Sequence, residues 1–122
     1  MRPLMAIGLV FFMAGCAPST DDLIRQLKDA DVVKRREALR KLGPRTAEAG
    51  RIVPALTEAL RDDSGYVRRD AALALAKFGG EAREAVPPLA LALKDKDQSV
   101  RAAAGAALKK IDPAAASKAG IH

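Results

Sequence analysis

Leucines recur every 33 residues in this 122-residue chain, at Leu23, Leu56 and Leu89 and again at Leu27, Leu60 and Leu93. The same interval relates Lys28, Arg61 and Lys94; Asp29, Asp62 and Asp95; Arg35, Arg68 and Arg101; Ala38, Ala71 and Ala104; and Leu42, Leu75 and Leu108. A period in the range of about 20–50 residues marks a chain built from stacked supersecondary units, each too small to bury its apolar face alone. Val53/Val86 and Pro54/Pro87 repeat once and mark the joins between units.

Each unit reads as two helices. The first carries Leu at i and i+4, as in Leu56 and Leu60, and the second places Val67, Ala71, Leu75 and Phe78 on one face. Pro54 and Pro87 suit the first turn of a first helix, where a missing N–H costs nothing. In the first unit Ser19-Thr20-Asp21-Asp22 offers capping groups instead. Asp31, Ser64 and Asp97, again 33 apart, are N-cap residues for the second helices, and Gly43, Gly79-Gly80 and Asp112-Pro113 are their stops. Trp is absent and Phe and Tyr together number four, so the core is aliphatic and rich in Ala, which suits close-packed helices and not a β-sandwich.

Val67-Arg68-Arg69-Asp70-Ala71-Ala72 and Val100-Arg101-Ala102-Ala103-Ala104, each preceded by Leu-basic-Asp, resemble the short bacterial HEAT repeats of the phycobilisome-lyase-like class. The resemblance implies an all-α fold: a short right-handed α-solenoid of three helix pairs over about 20–52, 53–85 and 86–112, with 113–122 as a C-terminal tail in which His122 is expected to be disordered. It also implies that the turn residues Asp29, Asp62 and Asp95 hydrogen-bond with Arg35, Arg68 and Arg101 within and between units, as a structural ladder and not an acidic catalytic row. The first unit departs from the pattern: Lys34 replaces the expected Val, and Gly43 arrives about one turn early, with 44–52 making up the length. A terminal unit has one side in water, which accommodates such a change. Gly105 stands within the last second helix, at a cost of about 0.8–1.0 kcal/mol against Ala.

Before the repeats, Met1-Arg2 and the apolar run 3–14 have the length of a signal-peptide core and fall short of a membrane span. Met13-Ala14-Gly15-Cys16 resembles the lipobox of a bacterial lipoprotein, with Met13 in place of the usual Leu. That resemblance implies a signal peptide over 1–15, lipid attachment at Cys16, a tether over 16–19, and a protein anchored on the cell envelope. Ala17 after the cysteine favours the periplasmic face of the outer membrane. Loss of Arg2 with the signal leaves 20 basic against 15 acidic residues, a net charge of +5.

The resemblance places the second helices on the concave face of the solenoid, where Arg36, Arg40, Lys41, Arg69, Lys77, Lys109 and Lys110 are outward and basic. Such a face attracts an anionic partner. Arg36, Arg40, Arg69 and Lys77 are the candidate contacts, and Ala102 in place of a third Arg makes the stripe fade toward the C-terminus. The expected partner is a protein, with an acidic segment as the matching chemistry; anionic envelope lipid is an alternative, and export argues against nucleic acid. A homodimer through exposed end repeats is a further expectation. One Cys and one His, with no Asn, exclude a disulfide framework and a Cys/His zinc site, and no metal, cofactor or catalytic residue is expected. The alternative to a non-catalytic scaffold is a chromophore lyase or isomerase, which the class name suggests.

Overall fold

Three residues 33 apart, Asp31, Ser64 and Asp97, stand at the N-caps of three helices in the computed structural model, which describes residues 17–122. The signal segment and Cys16 lie outside the described residues. The three capped helices are α2 (Val32–Leu42), α4 (Gly65–Ala76) and α6 (Gln98–Ile111). Each follows a first helix: α1 (Thr20–Gln26), α3 (Ala49–Ala59) and α5 (Val86–Ala92). A short helix, α7 (Pro113–Lys118), closes the chain, and 3-10 turns over Thr46–Glu48 and Gly79–Ala85 join the pairs. The described chain is thus an all-α solenoid of three helix pairs, as the repeated helix pattern and the resemblance together imply.

The second helices pack in succession, α2 on α4 and α4 on α6, and each first helix packs on its own second helix. Leu23, Leu56 and Leu89 are fully buried, as are Val67, Ala71 and Leu75, with Phe78 close behind. Each buried leucine or valine side chain contributes on the order of 1.5–3 kcal/mol. Columns that are apolar and buried in the inner units turn polar in the first. Lys34 is exposed where Val67 and Val100 are buried; Gln26 stands where Ala59 and Ala92 are buried; Lys41 stands where Ala74 and Ala107 are buried. Among the described residues no unit packs on that side of the first pair, so an apolar residue there would meet no partner from another unit.

The outward columns of the first pair therefore carry polar side chains. At the other end α7 packs on α6, Ala116 is buried, and Ile121 lies across Gly105. Asp112 caps α7 by accepting from the Ala115 N–H at 3.1 Å, and Lys109 Nζ donates to the His122 carbonyl at 2.9 Å. The last residues are held against the third unit.

Pro54 is not in a first turn. It lies inside α3, which starts at Ala49, so the expected division between 52 and 53 cuts a helix. Ile52 and Val53, both buried, draw the upstream residues into the helix. Their burial is worth about 3–6 kcal/mol together, against about 3 kcal/mol for an interior proline. The carbonyl that Pro54 cannot serve belongs to Gly50, which is exposed to water.

Candidate functional site

Two sets of polar side chains are built on this scaffold, one along the loops and one between α2 and α4. The loop set is a ladder with a direction. Arg35 donates from Nε and Nη2 to the two carboxylate oxygens of Asp62, at 2.9 and 3.1 Å, and from Nη1 to the carbonyls of Asp29 and Ala30 in its own loop. Arg68 repeats the arrangement on Asp95, at 2.8 and 3.1 Å, and on the carbonyls of Asp62 and Asp63. Each arginine therefore closes its own turn and grips the aspartate of the next unit. The fork geometry of guanidinium on carboxylate makes such contacts strong and specific.

The aspartates also order their turns. Asp29, Asp62 and Asp95 accept from the N–H groups of Asp31, Ser64 and Asp97, at 2.8 to 2.9 Å. The Arg68 hydrogen bonds hold the Asp95 carboxyl below the usual carboxylate range, and Asp95 in turn raises Arg68 further. Among the described residues the two ends of the ladder differ from its middle. Arg101 donates to the carbonyls of Asp95 and Lys96 and meets no carboxylate, and Asp29 meets no arginine. All six ladder residues are occupied in stacking the repeats or in shaping turns.

Asp97 departs from its column. Asp31 and Ser64 accept from the Val33 and Tyr66 N–H groups, as N-caps do, but the Asp97 side chain makes no cap bond and accepts from Arg68 Nη2 at 3.2 Å instead. Gly65 leaves the space for it, since a Cβ there would fall 1.9 Å from Asp97 Oδ2.

The second set lines a groove of about 420 Å³ between α2 and α4, bounded by Arg36, Leu39, Arg40, Arg69, Asp70, Leu73, Ala74 and Lys77. All four candidate partner-binding residues, Arg36, Arg40, Arg69 and Lys77, thus come together on consecutive second helices. Their roles separate on Asp70, whose side chain is only 13% exposed. Arg36 Nε donates to Asp70 Oδ2 at 2.7 Å, and Arg69 donates to Oδ1 from Nη2 at 3.0 Å. The Arg36 guanidinium also lies 5.1 Å from the Tyr66 ring centroid, within cation–π range. Arg40 and Lys77 are exposed and make no ion pair among the described residues.

Asp70 was not singled out by the periodicity, although Glu37, 33 residues earlier, is also acidic and signals the column. In the third unit the positions equivalent to Arg69, Asp70 and Leu73 are all alanine, Ala102, Ala103 and Ala106, so the groove's side chains belong to the first two units. A larger cleft of about 600 Å³ opens between the first two units at the loop edge, floored by Ile24, Leu27 and Ala55 and rimmed by charges of both signs. Among the described residues no cluster of His, Cys, Asp and Glu is suited to a metal ion, and no helix is long and apolar enough to cross a membrane.

A family model described as HEAT repeats matches residues 20–109. Among solved structures, the complex of CpcE and CpcF of phycocyanin lyase from Nostoc sp. PCC7120 contains a similar chain, with 32% identity and a TM-score of 0.76 over 86% of this chain and 41% of that one. A crystal structure of an engineered protein is similar at 25% identity and a TM-score of 0.65, over 98% of this chain and 56% of the other. The chain spans about two-fifths of the first and just over half of the second. A search of curated proteins finds no match.

Proposed function

The chain belongs to the HEAT-repeat family, and on that premise we propose that it is a non-catalytic protein-interaction module, held on a bacterial cell envelope through a lipid on Cys16. The observation that carries the interaction role is the groove between α2 and α4, where four cations surround one carboxylate on a scaffold of stacked repeats. An excess of positive charge in a recess steers an acidic protein segment toward it. That the solved relative is a complex of two named chains supports partner binding as a use of such repeats.

The anchor reading rests on the signal-like run and on Met13-Ala14-Gly15-Cys16. Arg45 Nη2 donates to the Pro18 carbonyl at 2.8 Å, and Arg45 Nη1 donates to Thr20 Oγ1 at 2.8 Å, so the chain is tied to the scaffold two residues after Cys16. Two extended residues reach about 7 Å. A lipid on Cys16 would hold the first helix pair against the headgroups, on the periplasmic face of the outer membrane.

Capture of partners from crosslinked cell envelopes tests the module reading, with the wild-type chain set beside one carrying Arg40→Glu and Lys77→Glu. A specific acidic partner recovered with the wild type supports it; recovery of envelope lipid alone would favour the anionic-lipid alternative. Cys16→Ser tests the anchor, and acyl labelling that persists in that variant would sink it. A lyase-like activity is the second reading, favoured by the similarity to a chain of the phycocyanin lyase complex. It predicts that the protein transfers or rearranges a chromophore on an acceptor protein, which absorbance spectroscopy would detect.

A further inference from the structure

The groove between α2 and α4 divides into two parts with different demands on a partner. In one part the charges are already matched: Asp70 receives both Arg36 and Arg69, and Arg36 is in addition covered by Tyr66. An incoming anion there would compete with a mostly buried carboxylate and would be repelled by it. In the other part stand Arg40, from α2, and Lys77, from the end of α4, with no acidic partner among the described residues. The Lys77 side chain packs closely over Gly43, where a Cβ would meet Lys77 Cδ at 3.2 Å.

Leu73 lines the same groove, with 43% of its surface exposed, above the buried Leu39 and Ala74. Exposed leucines are ordinary on a surface, but this one sits in a recess beside two uncompensated cations. A small anion would satisfy the cations and leave the leucine wet. A segment carrying both a carboxylate and an apolar side chain would answer both features, through charge and through removal of apolar surface from water.

We infer that Arg40 and Lys77, with Leu73 between the helices, form the docking end of the groove, and that its occupant is an acidic protein segment with an aliphatic or aromatic side chain next to its carboxylates. The inference rests on the interaction-module reading and narrows it: Arg36 and Arg69, equally basic and 33 residues apart, hold Asp70 and do not carry the docking. Asp70 acts as the internal partition, and the absence of its counterpart at Ala103 leaves the third unit outside the site.

The test uses the full chain and a fluorescently labelled peptide alternating Glu and Leu, with a poly-Glu peptide of equal charge, a single-stranded oligonucleotide and phosphatidylglycerol vesicles as the other probes. The Glu/Leu peptide is expected to bind most tightly, with an affinity that falls as salt rises. Arg40→Ser with Lys77→Ser should weaken it about tenfold or more, Leu73→Ser should remove its advantage over poly-Glu, and Arg36→Ser should cost less than the double change. Circular dichroism checks that each variant stays helical. Equal binding by the double variant overturns the assignment, and so does tighter, Arg40/Lys77-dependent binding of the oligonucleotide or the vesicles. If an envelope partner is captured and the double variant captures it equally, this inference fails while the module reading stands. If the peptide binds through these residues and no envelope partner is ever captured, the site stands and the module reading fails.

Discussion

The Arg68 guanidinium holds the Asp95 carboxylate with both Nε and Nη2, at 2.8 and 3.1 Å, across the joint between the second and third helix pairs. Both side chains are nearly buried, 11% and 12% exposed, and Arg68 also closes its own loop through the Asp62 carbonyl. One side chain thus sets the turn within a unit and the stacking between units.

Arg68→Ala should therefore leave a carboxylate with little water and no cation, at a cost of about 3–5 kcal/mol. Arg101→Ala, in the same column, should cost about 0–1 kcal/mol, since Arg101 is exposed and meets no carboxylate. Thermal unfolding of the two variants checks the contrast; equal losses would mean that the inter-unit grip on Asp95 contributes nothing beyond the loop bonds.

Acid should loosen the same joint. The Asp95 carboxyl sits below its ordinary value because Arg68 hydrogen-bonds to it, so its folded pKa is lower than its unfolded one. Its contribution is complete above the unfolded value, about 3.9, and is lost as pH falls through the lower folded value. Urea midpoints of the wild type and Asp95→Asn should differ at pH 7 and draw together as pH falls below the unfolded value, and a gap independent of pH would contradict this.

Gly105→Ala should stabilise the chain. Gly105 is a buried helical residue without positive φ, and a Cβ there meets Ile121 Cδ1 at 3.5 Å, an ordinary van der Waals contact. The gain from helix propensity is about 0.8–1.0 kcal/mol. A lower melting temperature would show that the C-terminal residues cannot accept the methyl group.

Gly65→Ala should uncouple two residues without unfolding the protein. The added Cβ displaces the Asp97 carboxylate from Arg68, and rotation toward the α6 N-terminus returns Asp97 to the capping position it gave up. A double-mutant cycle between Arg68→Ala and Asp97→Ala should show coupling in the wild type and little in the Gly65→Ala background. Unchanged coupling would place the Arg68–Asp97 contact elsewhere.

The 33-residue period, with helical spacing inside each unit, determined that the chain is a stack of helix pairs. Apolar columns at helical spacing, with Asp31, Ser64 and Asp97 ahead of the second helices, are local features that each unit repeats, and stacking is the one arrangement that buries them together. The polar residue Lys34 at an otherwise apolar column was legible too, because an end unit has one side in water. Only the tertiary structure decided where the long side chains go. A column states which residues are equivalent, but it leaves open whether Arg35 turns to Asp29 in its own loop or to Asp62 in the next, and the fork chose Asp62. The columns likewise made Arg36 and Arg69 look like free charges, while Asp70 claims Arg36 across the α2–α4 contact, 34 residues away, and Arg69 from the adjacent position on its own helix. Pro54 shows the same limit for the backbone: its local preference for a first turn yielded to the burial of Ile52 and Val53, a quantity set by the whole stack.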